Sequence, residues 1–294
     1  MKDEKPSSTA LAVCAGVCAF GLTHRRLKLV DDETLVLSNK ALRFASPSLF
    51  FFVTLWDRLK ILDAVRRFFE WLTVRGVCEH FALRKKTIEG MVIAEIQECE
   101  QLLILGGGYD FLPLKMACRF PSLKVFETDH PATQQVKKKI YSTVKVPANL
   151  YLVPIDYTKT TLLDALSKVS SFRTGVKTCV VVEGVLMYLT LEQVTGVFDT
   201  LDKLCGPHSP IVMTMMERNE NEPKIRFQTQ SRLLDLWMDS RGEPFLCGMA
   251  KEELVRFANS KNRVLAKYED DESVRAKLNP SGRPAKGEVI ALLK

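Results

Sequence analysis

Five short apolar-rich runs alternate with helical patterns through the second part of the chain: 102–105 (LLIL), 123–127 (LKVFE), 150–155 (LYLVPI), 178–182 (TCVVV) and 210–215 (PIVMTM). Strands that are apolar on both faces cannot lie on a solvated sheet. Separated by helices, they specify an α/β fold: a buried parallel sheet with helices on both faces. The clearest helix starts after Thr190, which with Gln193 forms a capping box ahead of the stripe Leu191, Val194, Val197, Phe198 and Leu201. Two later runs, 263–268 (RVLAKY) and 288–293 (EVIALL), are joined by a polar stretch containing Asn279-Pro280-Ser281-Gly282-Arg283-Pro284. That reads as a long hairpin-type connection without a crossover helix, and predicts an antiparallel edge.

The first hundred residues read as helices. Over Ser48–Trp71, Phe51, Leu55, Leu59, Leu62, Val65, Phe69 and Leu72 recur at three- and four-residue steps, predicting one helix with a core-facing stripe. Its many rings, Phe50, Phe51, Phe52, Trp56, Phe68, Phe69 and Trp71 among them, suit either core packing or the wall of an apolar substrate pocket.

Composition narrows the class further. With 294 residues, 46% hydrophobic and 26% charged, the chain is neither largely disordered nor a fibrous repeat nor a polytopic membrane protein. The net charge of +7 is spread evenly rather than gathered on one tail, so nucleic acid is not an expected partner. Lys137-Lys138-Lys139 reads as a solvated helix face. The eight cysteines form no CxxC pattern and the four histidines stand isolated, so no metal site is expected and a reducing, cytoplasmic compartment fits. Ala10–Phe20 resembles a short signal core, but Asp3 and Glu4 spoil a positive leader; Leu49–Trp56 is too short to span a bilayer, and no membrane partner is expected.

The chemistry concentrates at strand ends. Leu102–Leu105 runs into Gly106-Gly107-Gly108-Tyr109-Asp110, where backbone without side chains lets a ligand approach closely at the carboxyl end of the sheet. Glu127 and Asp129, at the end of the next strand, both qualify to accept hydrogen bonds from a ribose hydroxyl pair. Phe111 stands where a dinucleotide fingerprint needs its third glycine, which points to a nucleoside ligand without pyrophosphate, such as S-adenosylmethionine. Asp156 and Tyr157 end the third strand, where a carboxylate and a ring suit adenine. Glu183 ends the fourth, where a carboxylate suits an ammonium, and Arg84 and Lys86 precede the sheet as candidates for a carboxylate.

Five segments together resemble the leucine carboxyl methyltransferase-like family: Arg84–Glu89 (RKKTIE), Leu103–Asp110 (LILGGGYD), Val125–Pro131 (VFETDHP), Val153–Tyr157 (VPIDY) and Glu183–Leu189 (EGVLMYL). That family includes an enzyme that methylates the C-terminal leucine of a protein phosphatase catalytic subunit. The resemblance implies a Rossmann-like, seven-stranded class I methyltransferase sheet with an antiparallel last strand that inserts into it. It implies a helical N-terminal lid or substrate region over residues 1–80 and a core over 81–294, integrated as one domain. S-adenosyl-L-methionine is the implied cofactor, with Arg84 on its carboxylate, Gly106 and Gly108 along its backbone, Asp129 on the ribose, Asp156 and Tyr157 at the adenine end and Glu183 at the methionine end. Three positions depart from the family pattern: Lys85 where Thr is usual, Gly107 where Ala is frequent, and no Arg between Asp110 and Arg119. The expected reaction is O-methylation of a carboxylate on a peptide C-terminus or small molecule. A carboxylate is already ionised at neutral pH, so no catalytic base is assigned; Tyr188 is a possible substrate-orienting group or a core residue. The alternative is a catalytically weak or silent cofactor-binding fold that serves as an interaction protein.

Overall fold

In the computed structural model, which describes residues 7–218 and 224–294, all seven runs become strands of one sheet. They are β1 (Gln101–Leu105), β2 (Lys124–Asp129), β3 (Leu150–Pro154), β4 (Thr178–Val182), β5 (Ile211–Glu217), β7 (Leu265–Glu269) and β8 (Glu288–Leu293). Their order is β3-β2-β1-β4-β5-β8-β7, and a two-residue β6 (Gly248–Met249) pairs with β5 off that path. The first five are parallel; β8 is antiparallel to both neighbours. The antiparallel strand therefore lies inside the sheet, with β7 at the edge. The connection between them is also not a plain loop: it carries α12 (Asp271–Leu278), started by Asp270, whose side chain accepts from the Ser273 N–H at 2.8 Å. Asp3 and Glu4, which bore on the reading of the N-terminus, lie outside the described residues.

Alternation along the strands sorts the core into two layers. Leu102, Ile104, Val125, Val181 and Val212 pack with Leu83, Met91 and Val92 of α5 (Val77–Glu95) and Met116 of α6 (Leu112–Arg119). Leu103, Leu105, Val180, Val182 and Met213 face Leu162 and Leu166 of α8 (Leu162–Ser167), Phe198 and Leu201 of α9 (Leu191–Leu204), and Leu254 of α11 (Lys251–Ser260). The capping box at Thr190 forms: Gln193 N donates to the Thr190 hydroxyl at 3.3 Å, and Thr190 N to the Gln193 side chain at 2.9 Å. Leu191, at the first helical position, is exposed rather than part of the buried stripe.

Ahead of the sheet stand α1 (Ser8–Thr23), α2 (Asp32–Ala45), α3 (Pro47–Arg58) and α4 (Leu62–Leu72), followed by α5. The expected single helix over 48–71 is thus two. Lys60 takes a left-handed conformation (φ 60°), with Lys60 N donating to Asp57 O and Ile61 N to Trp56 O, both at 3.0 Å. This pair of backward bonds is the Schellman termination, and it turns the chain between α3 and α4. The break overturns the expected core stripe, because Phe51, Leu59 and Phe69 end up exposed.

The helical layer is fastened to the sheet by a buried polar cluster. Arg84 on α5 donates to Glu288 at 2.8 and 3.1 Å and to Glu183 at 2.9 Å. His80, one turn earlier, lies between Glu288 (Nε2, 2.6 Å) and Asp271 (Nδ1, 3.1 Å), so it is not the isolated histidine the sequence suggested. Burial works against a charged imidazole, but the hydrogen bonds to Asp271 and Glu288 outweigh it and raise His80 from 6.5 to about 9. A raised folded-state pKa means that the folded chain holds a proton the unfolded chain releases between those values. The corresponding stability, up to about 3 kcal/mol, is fully present below pH 6.5 and is lost as the pH rises toward 9. Urea midpoints measured across that window should fall in the wild type, and His80→Gln should flatten this component of the slope; equal slopes in both would show that His80 does not carry it.

Candidate functional site

The ends of β1, β2 and β4 meet at the glycine turn. Gly106 (φ 68°) and Gly108 (φ 49°) hold left-handed conformations that admit glycine without penalty. Gly106 N and Gly107 N both donate to the Thr128 carbonyl, at 2.9 and 3.0 Å, which clamps the turn onto β2. Across the sheet the loop after β4 comes equally close: a Cβ on Gly106 would sit 2.5 Å from Val185. Asp110 closes the turn by accepting from Phe111 N (2.7 Å) and Leu112 N (3.3 Å), starting α6. Phe111, the residue in place of a third glycine, is buried and meets Tyr141 edge-on.

The two acids of β2 separate cleanly. Glu127 is fully buried and paired with an equally buried Lys137 of α7 (Pro131–Tyr141). Lys137 is therefore no part of a solvated run, although Lys138 and Lys139 are exposed. Burial pushes the Glu127 carboxyl up to about 7 against the pull of Lys137. Asp129 is half-buried at the strand end, where it accepts from Gly108 N at 2.5 Å and His130 N at 2.6 Å. Beside it lies a buried polar atom without a protein partner, the Tyr109 hydroxyl; Gln134 Oε1 is likewise unpartnered, on a side chain whose amide donates to the Glu127 carbonyl at 2.8 Å. Buried polar atoms are rarely left unpaired, so a polar ligand at this strand end would satisfy a need the fold leaves open.

Glu183 stands opposite, and cations of the chain itself engage it. Its Oε1 accepts from Arg84 and, at 3.1 Å, from Lys85, whose ammonium also lies 3.2 Å from Asp110. Arg84 is buried in its pairs with Glu183 and Glu288 rather than standing open toward a ligand carboxylate. Lys86 pairs with Glu89 at 3.5 Å, away from that cluster. At the third strand end Asp156 accepts from Thr158 N (3.0 Å) and Thr158 Oγ1 (2.6 Å) and lies 3.1 Å from Lys159; these hydrogen bonds hold it down to about 2. Tyr157 is exposed. The structure thus brings Gly106, Gly108, Asp129, Glu183 and Arg84 together, with Asp156 and Tyr157 one strand further out.

The cover over this end is α1. A Cβ on Gly108 would be 3.2 Å from Ala10, and the Thr9 hydroxyl bonds Glu243. Tyr188 packs on Phe245, with ring centroids 5.5 Å apart. Sequence reasoning did not find Glu288, Asp271 or His80 as members of the site's surroundings. His80 and its two acids are about 200 positions apart, and no local pattern signals them. Among the described residues, no three His, Cys, Asp or Glu side chains gather as metal ligands.

The departure at Gly107 has a steric cause. A Cβ there would lie 2.5 Å from Glu127 Oε1 and 2.7 Å from its Cγ, and Lys137 keeps Glu127 from swinging away. Gly107→Ala should cost about 1–3 kcal/mol, the usual penalty of overpacking a filled site. A wild-type urea midpoint in that variant would mean that Glu127 can yield.

Residues 23–202 match the model of the family described as Leucine carboxyl methyltransferase. A Bacillus subtilis protein, YktD, provisionally named an S-adenosyl-L-methionine-dependent methyltransferase, is 37% identical over 115 residues, which are 38% of this chain and 37% of the relative. The match therefore spans little more than a third of that relative's length. A Streptomyces avermitilis protein of the DUF574 family superposes with a TM-score of 0.58 at 14% identity, over 81% of this chain and 90% of its own. A Thermobifida fusca protein, provisionally named a methyltransferase, does so with a TM-score of 0.56 at 13% identity, over 100% and 96%. These two similarities bear on the fold.

Proposed function

This chain belongs to the leucine carboxyl methyltransferase family, and we propose that it binds S-adenosyl-L-methionine across the ends of β1, β2 and β4 and methylates a carboxylate oxygen. The observation that carries the reading is the Gly108–Asp129 contact, with the unpaired Tyr109 hydroxyl beside it and Glu183 across the turn. In this reading Asp129 takes the ribose hydroxyls, because Glu127 is spent on Lys137. Glu183 takes the cofactor's ammonium. Asp156 and Tyr157 flank the adenine, and Arg84 acts by orienting Glu183 through its two-point contact.

The cofactor supplies an electrophilic methyl group. An ionised acceptor carboxylate needs alignment and removal of its water more than it needs a base. In this reading the first turn of α1, seated against Gly108, is the element that limits water at that end of the sheet. The acceptor is a peptide C-terminus or a small carboxylic acid. A screen with methyl-labelled cofactor over both classes tests this; incorporation into neither, with cofactor bound, would leave the fold as a binding module.

Lys85 gives the reading a sharper edge. A tethered ammonium already lies between Glu183 and Asp110, so it competes with the ammonium of the incoming cofactor. Lys85→Thr should strengthen cofactor binding in calorimetry, by about 1.5–3 kcal/mol if one charge-assisted hydrogen bond is freed, or roughly 10- to 100-fold. Asp129→Ala should weaken it by a similar factor. Unchanged affinity in Asp129→Ala would place the ribose elsewhere.

A further inference from the structure

The turn between α3 and α4 leaves most of the rings of this segment, which suited either core packing or a pocket wall, on the outside. Phe51 (60% exposed), Phe68 (55%) and Trp71 (58%) are more than half accessible, and Phe52, Leu59, Ile61 and Phe69 are exposed with them. The rings form one run: Phe51 to Phe52 at 5.8 Å, Phe52 to Trp56 at 5.4 Å, Trp56 to Phe69 at 6.4 Å, Phe69 to Phe68 at 6.2 Å and Phe68 to Trp71 at 6.1 Å between centroids. An apolar surface this continuous on a soluble domain marks a contact with something else.

Charge identifies the occupant. Between Phe51 and Arg75 every exposed residue is either apolar or basic: the charged ones are Arg58, Lys60, Arg67 and Arg75. The acids of the same stretch are withdrawn. Glu70 is buried on Arg66, Asp63 is half-buried between Arg66 and Arg67, and Asp57 is half-buried. A second copy of this chain would bring like charges together on the same face. An anionic lipid surface meets both halves of the pattern, since aromatic rings settle at the headgroup level and basic residues are attracted to acidic headgroups.

We propose that the α3–α4 hairpin docks this protein peripherally on anionic membranes, with Phe51, Phe68, Phe69 and Trp71 entering the interface and Arg58, Lys60, Arg67 and Arg75 held against the headgroups. No spanning segment is needed, and among the described residues no helix is long and apolar enough to cross a membrane. The expectation of no membrane partner considered only spanning segments and the N-terminal leader.

Flotation of the full chain with phosphatidylcholine vesicles, with and without phosphatidylserine, tests this. Binding should require the anionic lipid and weaken with salt. Arg58→Glu with Arg67→Glu should reduce partitioning at least roughly tenfold. Phe68→Ser with Trp71→Ser should do the same, while both variants keep the wild-type circular dichroism, because these side chains are exposed. Brominated lipids should quench tryptophan emission of the wild type, and Trp71→Phe should remove most of the quenched component, a readout that does not depend on the multiple variants. No flotation on either vesicle, binding indifferent to both pairs of changes, or a concentration-dependent dimer lost in Phe68→Ser/Trp71→Ser without any lipid binding would each overturn the proposal.

Discussion

The ion cluster around Arg84 is the constraint on which the rest of the site depends. A guanidinium taken out of water costs several kcal/mol unless partners satisfy it, and here Glu183 and Glu288 do so from different strands' ends. Glu288 in turn is held by His80, and Arg84 and His80 together keep its carboxyl down at about 2 against the effect of burial. One helix, α5, is thereby locked to β8, to α12 and to the loop after β4. Glu183 cannot move without disturbing a cluster whose other members sit deep in the fold. The loop that carries Glu183 after β4 is therefore held by charge pairing as well as by packing.

The glycine turn is rigid for a different reason. Its backbone is clamped by the Thr128 carbonyl, its middle residue abuts the Glu127 carboxylate, and its last residue binds Asp129. Lys137 matters here: by pairing with Glu127 it keeps one acid inside and leaves Asp129 as the acid at the strand end. The Gly107 departure from the family pattern follows from the same pair, because a larger residue and a pinned Glu127 cannot share that space.

The aromatic segment shows where a periodic pattern misleads. Three- and four-residue spacing says which residues share a face of a helix, not whether that face is covered. Once Lys60 reverses the chain, Val53 and Leu62 supply the buried contacts and most of the rings are left outside. The cover over the strand ends comes from α1 instead, through Ala10 and Thr9. The alternation of Glu70, Asp63 and their arginines within α4 is what leaves only basic charge on the exposed side.

By itself the sequence determined the strands, their parallel burial and the place of the glycine turn. Those follow from local quantities: apolar runs, helix caps and glycines where a left-handed backbone is required. It also carried the identity of the acids at the strand ends, since a strand's end is where its apolar run stops. Tertiary structure alone decided which acid faces outward, which lysine is buried, and that His80, Asp271, Glu288 and Arg84 form one cluster. It also decided that the aromatic hairpin faces solvent. Each of these depends on contacts between residues far apart in the chain, whose energies come from burial and charge pairing, and no window of sequence contains both partners.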